Sequence, residues 1–245
     1  MASIEIHNVR KSFKKTEVLH GVSLAVSKGQ IVGLVGPSGC GKTTLVDLIV
    51  GNTIPTSGTV KLSGEQAPYP TARKRLGYMP QETALYEDIT ADENLQFFGA
   101  LYGITRSQLT EASVRALELA QLQDQKTKVV SDFSGGMKRR LSLAVALLND
   151  PDILIMDEPT VGLDPVHRAK LWEGFRALAD RGACILITTH AMDEAAHCDR
   201  VALMHDGDLI RFDAPQTIID TTACSTLEEA FITLVSGERK GADHA

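Results

Sequence analysis

Ile31-Val32-Gly33-Leu34-Val35 runs directly into Gly36-Pro37-Ser38-Gly39-Cys40-Gly41-Lys42-Thr43-Thr44, and this junction decides the fold. Five apolar residues are the length of a buried strand. The next eight match the phosphate-binding pattern GxxxxGK[ST] in full, and a helical stretch from Lys42 to Val50 follows, closed by Gly51-Asn52. Glycines let successive backbone N–H groups turn inward around phosphate oxygens, and the helix start adds the positive end of its dipole. Lys42 supplies a mobile charge for the terminal phosphates, and the Thr43 hydroxyl is placed to ligate Mg²⁺.

Such a loop needs an acid on the metal side. Ile153-Leu154-Ile155-Met156-Asp157-Glu158 offers two, at the end of a second apolar strand. Ligands of open α/β sheets collect at that strand edge. Two adjacent carboxylates there are costly unless a cation or substrate uses them. Asp157 is therefore expected to hold Mg²⁺, and Glu158 to act as the general base that polarises an attacking water. Together the two motifs imply a nucleoside triphosphatase.

Outward from these motifs the chain alternates. Short strands are expected at Ser3–Val9, Val22–Val26, Thr59–Leu62 and Gly77–Met79. The middle is helical: Thr90-x-x-Glu93 is a capping box, a second segment runs from about Ser107 to Ala120, and a third from Ser134 to Asn149. Beyond Pro151 the strands return at 153–156, Ala183–Thr188, Val201–Met204 and Leu209–Phe212, separated by helices at about Pro165–Asp180 and Met192–His197. Ser225-x-x-Glu228 is expected to cap a last helix over about 226–236. This predicts one α/β domain over 1–245. Its phosphate-loop core, with a mixed, mostly parallel sheet, covers about 1–85 and 150–220, with a helical subdomain inserted at about 86–149.

Composition narrows the class. The 245 residues carry 25 Lys+Arg against 31 Asp+Glu, a net charge of −6, which disfavours nucleic acid as a partner. No apolar run approaches the length of a membrane span, and the first residues carry no signal-peptide core, so a soluble intracellular protein without direct membrane insertion is expected. Cys40, Cys184, Cys198 and Cys224 are scattered, with no CxxC pair, and Cys184 reads as core. Asp193, His197 and Cys198 lack a second compact ligand pair, which argues against zinc.

The discriminating stretch is Phe133-Ser134-Gly135-Gly136-Met137-Lys138, whose serine lies 23 residues before Asp157 and opens a helix. Here the chain resembles the ATP-binding cassette (ABC) family, over nearly its whole length. The family's usual LSGGQ signature stands as FSGGM, with Phe133 and Met137 at the departures. The resemblance implies that Ser134, Gly135 and Gly136 contact ATP bound by an opposite subunit. It also implies that Gln81 is the glutamine of the loop that reaches Mg²⁺ and the attacking water. Asp164, in Gly162-Leu163-Asp164, would address the other nucleotide subunit, His190 would contact the γ-phosphate, and Phe13 would stack on adenine. ATP contacts are then expected from Gly36 through Thr44, with Mg²⁺ held by Thr43, Gln81 and Asp157.

Glu93-Asn94-Leu95-Gln96-Phe97-Phe98-Gly99 and Gly136-Met137-Lys138-Arg139-Arg140-Leu141 look like the family's type-2 exporter branch, as does Leu227-Glu228-Glu229-Ala230-Phe231. Cys40, where that branch often has alanine, is also seen among importers. Membership implies an ATPase that works at the cytoplasmic face of the membrane. It would be held there by an integral-membrane permease moving a drug, lipid or polysaccharide outward, and paired with a second ATP-binding subunit. Leu85 and Tyr86 fall where the family receives the permease. The alternative is a soluble ABC ATPase acting in translation, iron–sulfur assembly or repair. Such proteins usually carry two cassettes or long coiled coils, and neither is seen here.

Overall fold

Every residue of β3 (Ile31–Val35) is buried, because this strand lies inside a six-stranded sheet with helices on both faces. The computed structural model describes residues 2–66, 69 and 71–242. Before β3 come β1 (Ala2–Phe13) and β2 (Thr16–Ser27), an antiparallel hairpin. After it follow α1 (Lys42–Val50), β4 (Ser57–Leu62), β5 (Glu65–Gln66) and β6 (Leu76–Met79). The helices α2 (Ala91–Leu101), α3 (Arg106–Leu119) and α4 (Gly135–Leu147) precede β7 (Ile153–Asp157). Then come α5 (Pro165–Asp180), β8 (Cys184–Thr189), α6 (Met192–Ala195), β9 (Arg200–His205), β10 (Asp208–Asp213), α7 (Pro215–Thr222) and α8 (Leu227–Ala242).

The larger sheet has the order β10-β9-β3-β8-β7-β6, parallel throughout except for the antiparallel edge strand β10. A mixed, mostly parallel sheet is what the alternating pattern predicts. The early strands instead form a separate antiparallel sheet, β2-β1-β4-β5. Side chains of a strand alternate between faces. Val32 and Leu34 accordingly point into a core shared with Leu45 and Ile49 of α1 and with Ile4 and Leu24 of the antiparallel sheet. Ile31 and Val35 point the other way, into a core built with Trp172 and Phe175 of α5. A third apolar cluster joins α2, α3 and α4 through Leu95, Leu117 and Leu141. Each such side chain, fully buried, contributes about 1.5–3 kcal/mol.

Two local expectations are corrected. The last helix is capped one residue later than the Ser225-x-x-Glu228 reading. The Thr226 hydroxyl accepts from Glu229 N–H at 3.2 Å, while the Glu229 carboxylate accepts from Ser225 N–H at 2.9 Å. Thr226 is thus the cap, with Glu229 reaching back to Ser225, and the helix continues to Ala242, beyond the expected end near 236. Residues Pro215–Thr222, left without structure by the sequence pattern, form α7.

Because β3, β6, β7 and β8 run in parallel, their C-terminal ends lie along one edge. The register pairs Val35 with Thr189, and Asp157 with Thr188. The segments leaving that edge carry Gly36–Thr43, Gln81, Glu158 and His190.

Candidate active site

The loop between β3 and α1 cannot be built with side chains at two of its glycines. A Cβ on Gly36 would lie 2.2 Å from the carbonyl oxygen of Met204, and Gly41, at φ +102°, would press on Leu19 at 2.8 Å. Gly41 is the N-cap of α1, so the helix presents free N–H groups at Lys42, Thr43 and Thr44. The Lys42 ammonium is buried and donates to the carbonyls of Gly36 (2.7 Å) and Pro37 (3.0 Å), folded over the loop it belongs to. Burial raises the Cys40 thiol, so the loop's sulfur stays protonated. A cavity of about 200 Å³ opens in front of these groups, with Lys42, Thr43, Gln81, Asp157 and Glu158 in its wall. The phosphate loop, both acids and the glutamine therefore converge on one space.

Asp157 ends β7 and is 2% exposed. Its Oδ1 accepts the Thr188 hydroxyl, while Oδ2 is buried without a partner among the described residues. Burial pushes this carboxyl above the usual aspartate range, and the Thr188 hydrogen bond offsets part of that. A buried, unpartnered anionic oxygen beside Thr43 and Gln81 is a donor set that fits a hard divalent cation.

Glu158 takes φ +53°, the left-handed region, at a cost of about 1–3 kcal/mol. Both sides of its backbone are pinned. Its N–H donates to the Thr188 carbonyl (3.1 Å) and hydroxyl (3.0 Å), and its carbonyl accepts from the Arg139 guanidinium. The turned backbone aims the carboxylate at the cavity mouth, where Oε1 lies 3.0 Å from Nδ1 of the exposed His190.

Other expected residues lie outside this cavity. Ser134 caps α4, accepting from Met137 N–H at 3.3 Å. Gly136 packs so closely on the Gly162 carbonyl that a Cβ would approach it to 3.3 Å. Asp164 caps α5, accepting from the N–H groups of Val166 (3.0 Å) and His167 (3.1 Å). Those bonds, His167 first, hold its carboxyl below the usual range. Phe13 is half exposed at the β1–β2 turn, with the Lys11 ammonium 4.8 Å from its ring centre, and it is not part of the cavity wall. Asp193 and His197 do not converge: Asp193 approaches Arg168 at 4.0 Å, and His197 stacks on Trp172 at 5.0 Å. Leu85 packs on the helical cluster, whereas Tyr86 is exposed against Phe97 at 4.7 Å.

Three residues that touch the site went unassigned in the sequence. Val18 of β2 lines the cavity. Thr188 braces both acids, a role that a hydroxyl at the end of a strand next to His190 could have suggested. Arg139 carried no signal beyond its place in the basic run after the signature.

Comparison with known proteins agrees with this geometry. The family described as ABC transporter matches residues 19–161. The Nod factor export ATP-binding protein I of Burkholderia lata is 44% identical over 233 residues, covering 93% of this chain and 76% of the relative. That of Rhizobium sp. is 40% identical over 230 residues, covering 92% and 76%. A solved ATP-binding subunit of an ABC transporter superposes with a TM-score of 0.87 at 27% identity, covering 95% of this chain and 99% of that one. A dimeric bacterial ABC transporter cassette gives 0.80 at 26%, covering 86% and 98%. The loop, the paired acids and the signature helix thus stand in a chain that belongs to the ABC transporter family, as one of its ATP-binding, ATP-hydrolysing subunits.

Proposed function

We propose that this chain powers a separate membrane permease in the outward direction, each round of transport being driven by ATP bound between two ATP-binding subunits. The observation that carries the catalytic reading is the convergence of Lys42, Asp157 and Glu158 on one cavity, with His190 bonded to the Glu158 carboxylate. The triphosphate lies on the N–H groups of the phosphate loop, with the Lys42 ammonium moved from its own loop carbonyls onto the terminal phosphates. Thr43, Asp157 and Gln81 hold Mg²⁺, which when bound neutralises phosphate charge. Glu158 accepts a proton as water oxygen bonds to the γ-phosphorus and the bond to the bridging oxygen of ADP breaks. His190 steadies the Glu158 carboxylate and reaches the γ-phosphate, and Phe13 stacks on adenine.

The partner subunit's signature covers the nucleotide, and Ser134, Gly135 and Gly136 of this chain do the same for the partner's ATP. Asp164 stands at the contact between the subunits. One chain carries both halves of a site, so a two-fold pair of identical copies completes two sites at once. The dimeric state of the solved cassette supports this pairing.

Among the described residues no helix is long and apolar enough to cross a membrane. In this reading, attachment at the cytoplasmic face runs through the permease. The exposed aromatic pair Tyr86 and Phe97, at the start of the expected 86–149 subdomain, offers an apolar seat for it. The relatives' description as Nod factor export proteins supports the outward direction, within the drug, lipid and polysaccharide class of cargo. Replacing Glu158 with Gln removes the base and keeps the shape. ATP binding is expected to persist while hydrolysis falls at least a hundredfold, within the range that general-base catalysis supplies. Unchanged turnover contradicts the assignment.

A further inference from the structure

Arg139 lies on α4, the helix that Ser134 caps, about one turn from its start. Its side chain leaves that helix and spans two neighbouring segments. Nη1 donates to the carbonyl of Gln81 at 2.7 Å, and Nη2 donates to the carbonyl of Asp157 at 2.8 Å and to that of Glu158. One guanidinium therefore ties the glutamine segment to the end of the acidic strand. Its planar fork is suited to holding several acceptors in fixed directions. The contact to Glu158 falls on the one residue of the acidic pair whose backbone is in the left-handed region. The N–H side of that turn is already held by Thr188, and its carbonyl side is held by Arg139 together with a longer bond from the Val161 N–H at 3.4 Å.

We propose that Arg139 is a positioning residue for hydrolysis: it fixes the turned backbone of Glu158, and with it the direction of the carboxylate, from the helix that carries the signature. This rests on Glu158 being the general base. The arginine braces wall residues from behind and does not itself line the nucleotide cavity, so its loss should change the rate of the chemical step and spare nucleotide binding. It also makes the base sensitive to the seating of α4, since movement of that helix relative to β7 pulls on the Glu158 carbonyl.

The test compares Arg139→Gln, Arg139→Lys, Glu158→Gln and the Arg139→Gln/Glu158→Gln double variant of the full chain, reading kcat and KM for ATP. Arg139→Gln should lower kcat about tenfold or more with KM within about twofold of wild type. Arg139→Lys, which keeps the charge but loses the fork, should fall between. In the Glu158→Gln background the same substitution should cause no further loss, because its effect passes through the base. A wild-type kcat in Arg139→Gln, a rise in KM alone, or losses that multiply in the double variant would each overturn the proposal. Should glutamine unfold the chain, the lysine variant decides: an intermediate kcat at unchanged KM supports the proposal, and a wild-type kcat overturns it. Full turnover in Glu158→Gln alone would instead remove the underlying base assignment, whatever Arg139 does.

Discussion

Asp157 and Glu158 are neighbours in sequence, yet the structure gives them opposite surroundings. Asp157 is buried with one oxygen unpartnered, and Glu158 is turned outward by a left-handed backbone towards His190. The proposed division of labour between cation holding and proton transfer rests on that difference. For Asp157 the expected outcome is thermal. With a non-hydrolysable ATP analogue present, Mg²⁺ at about a hundred times its dissociation constant stabilises the native chain by about 2.7 kcal/mol. For a chain of this size that is roughly 5–10 °C. Asp157→Asn should abolish most of this shift in a melting experiment, and an undiminished shift would place the cation elsewhere. Both acids were legible in the sequence, because a carboxylate pair at the end of an apolar strand is improbable without a use. Arg139 was not, and the reason is physical: its partners are three main-chain carbonyls, which every residue has and no side-chain pattern records.

At the scale of elements, the strands of the parallel sheet were readable because they are continuous apolar runs buried on both faces. The hairpin β1–β2 was seen only in part. Its register shifts repeatedly, as between Ile6 and Val9 and again at Arg10, so strict alternation breaks although the strands continue. Helix α7 escaped for a different reason. Pro215-Gln-Thr-Ile-Ile-Asp-Thr-Thr is rich in β-branched residues of low helix propensity. Pro215 suits its first position, and the Thr221 and Thr222 hydroxyls bond back to carbonyls of the preceding turn. The two sheets are joined near the phosphate loop by His20 of β2. Its N–H donates to the Gly207 carbonyl at 3.1 Å, and its ring lies 3.1 Å from the Asp208 carboxylate. Asp208 raises the His20 pKa above 6.5, first through that side-chain hydrogen bond. The pair's stabilisation is therefore complete below the unfolded value and fades as pH rises through the folded one. Asp208→Asn should lower the His20 pKa in a proton NMR titration and flatten stability against pH in that window. An unmoved pKa would show that the ring does not use Asp208.

The whole molecule presents the two proposed halves of its site separately. The phosphate loop, the acids and His190 lie at the C-terminal edge of the parallel sheet, whereas Ser134 and Gly136 lie at the start of α4 against Gly162, outside the cavity. This separation was legible only through the family resemblance. Nothing in the signature's own residues distinguishes a serine-capped helix from half of an active site. Its consequence is that a catalytic defect in one half should be repaired by a partner carrying the intact half. The direct test mixes two inactive variants before ATP is added: Glu158→Gln, which keeps its signature, and Ser134→Arg, which keeps its base. Random pairing leaves about a quarter of the sites with an intact base facing an intact signature, as a two-fold dimer requires. Steady-state ATP hydrolysis by the mixture should therefore recover to roughly that fraction of the wild-type rate. A mixture no more active than either variant alone would contradict a site shared between two copies.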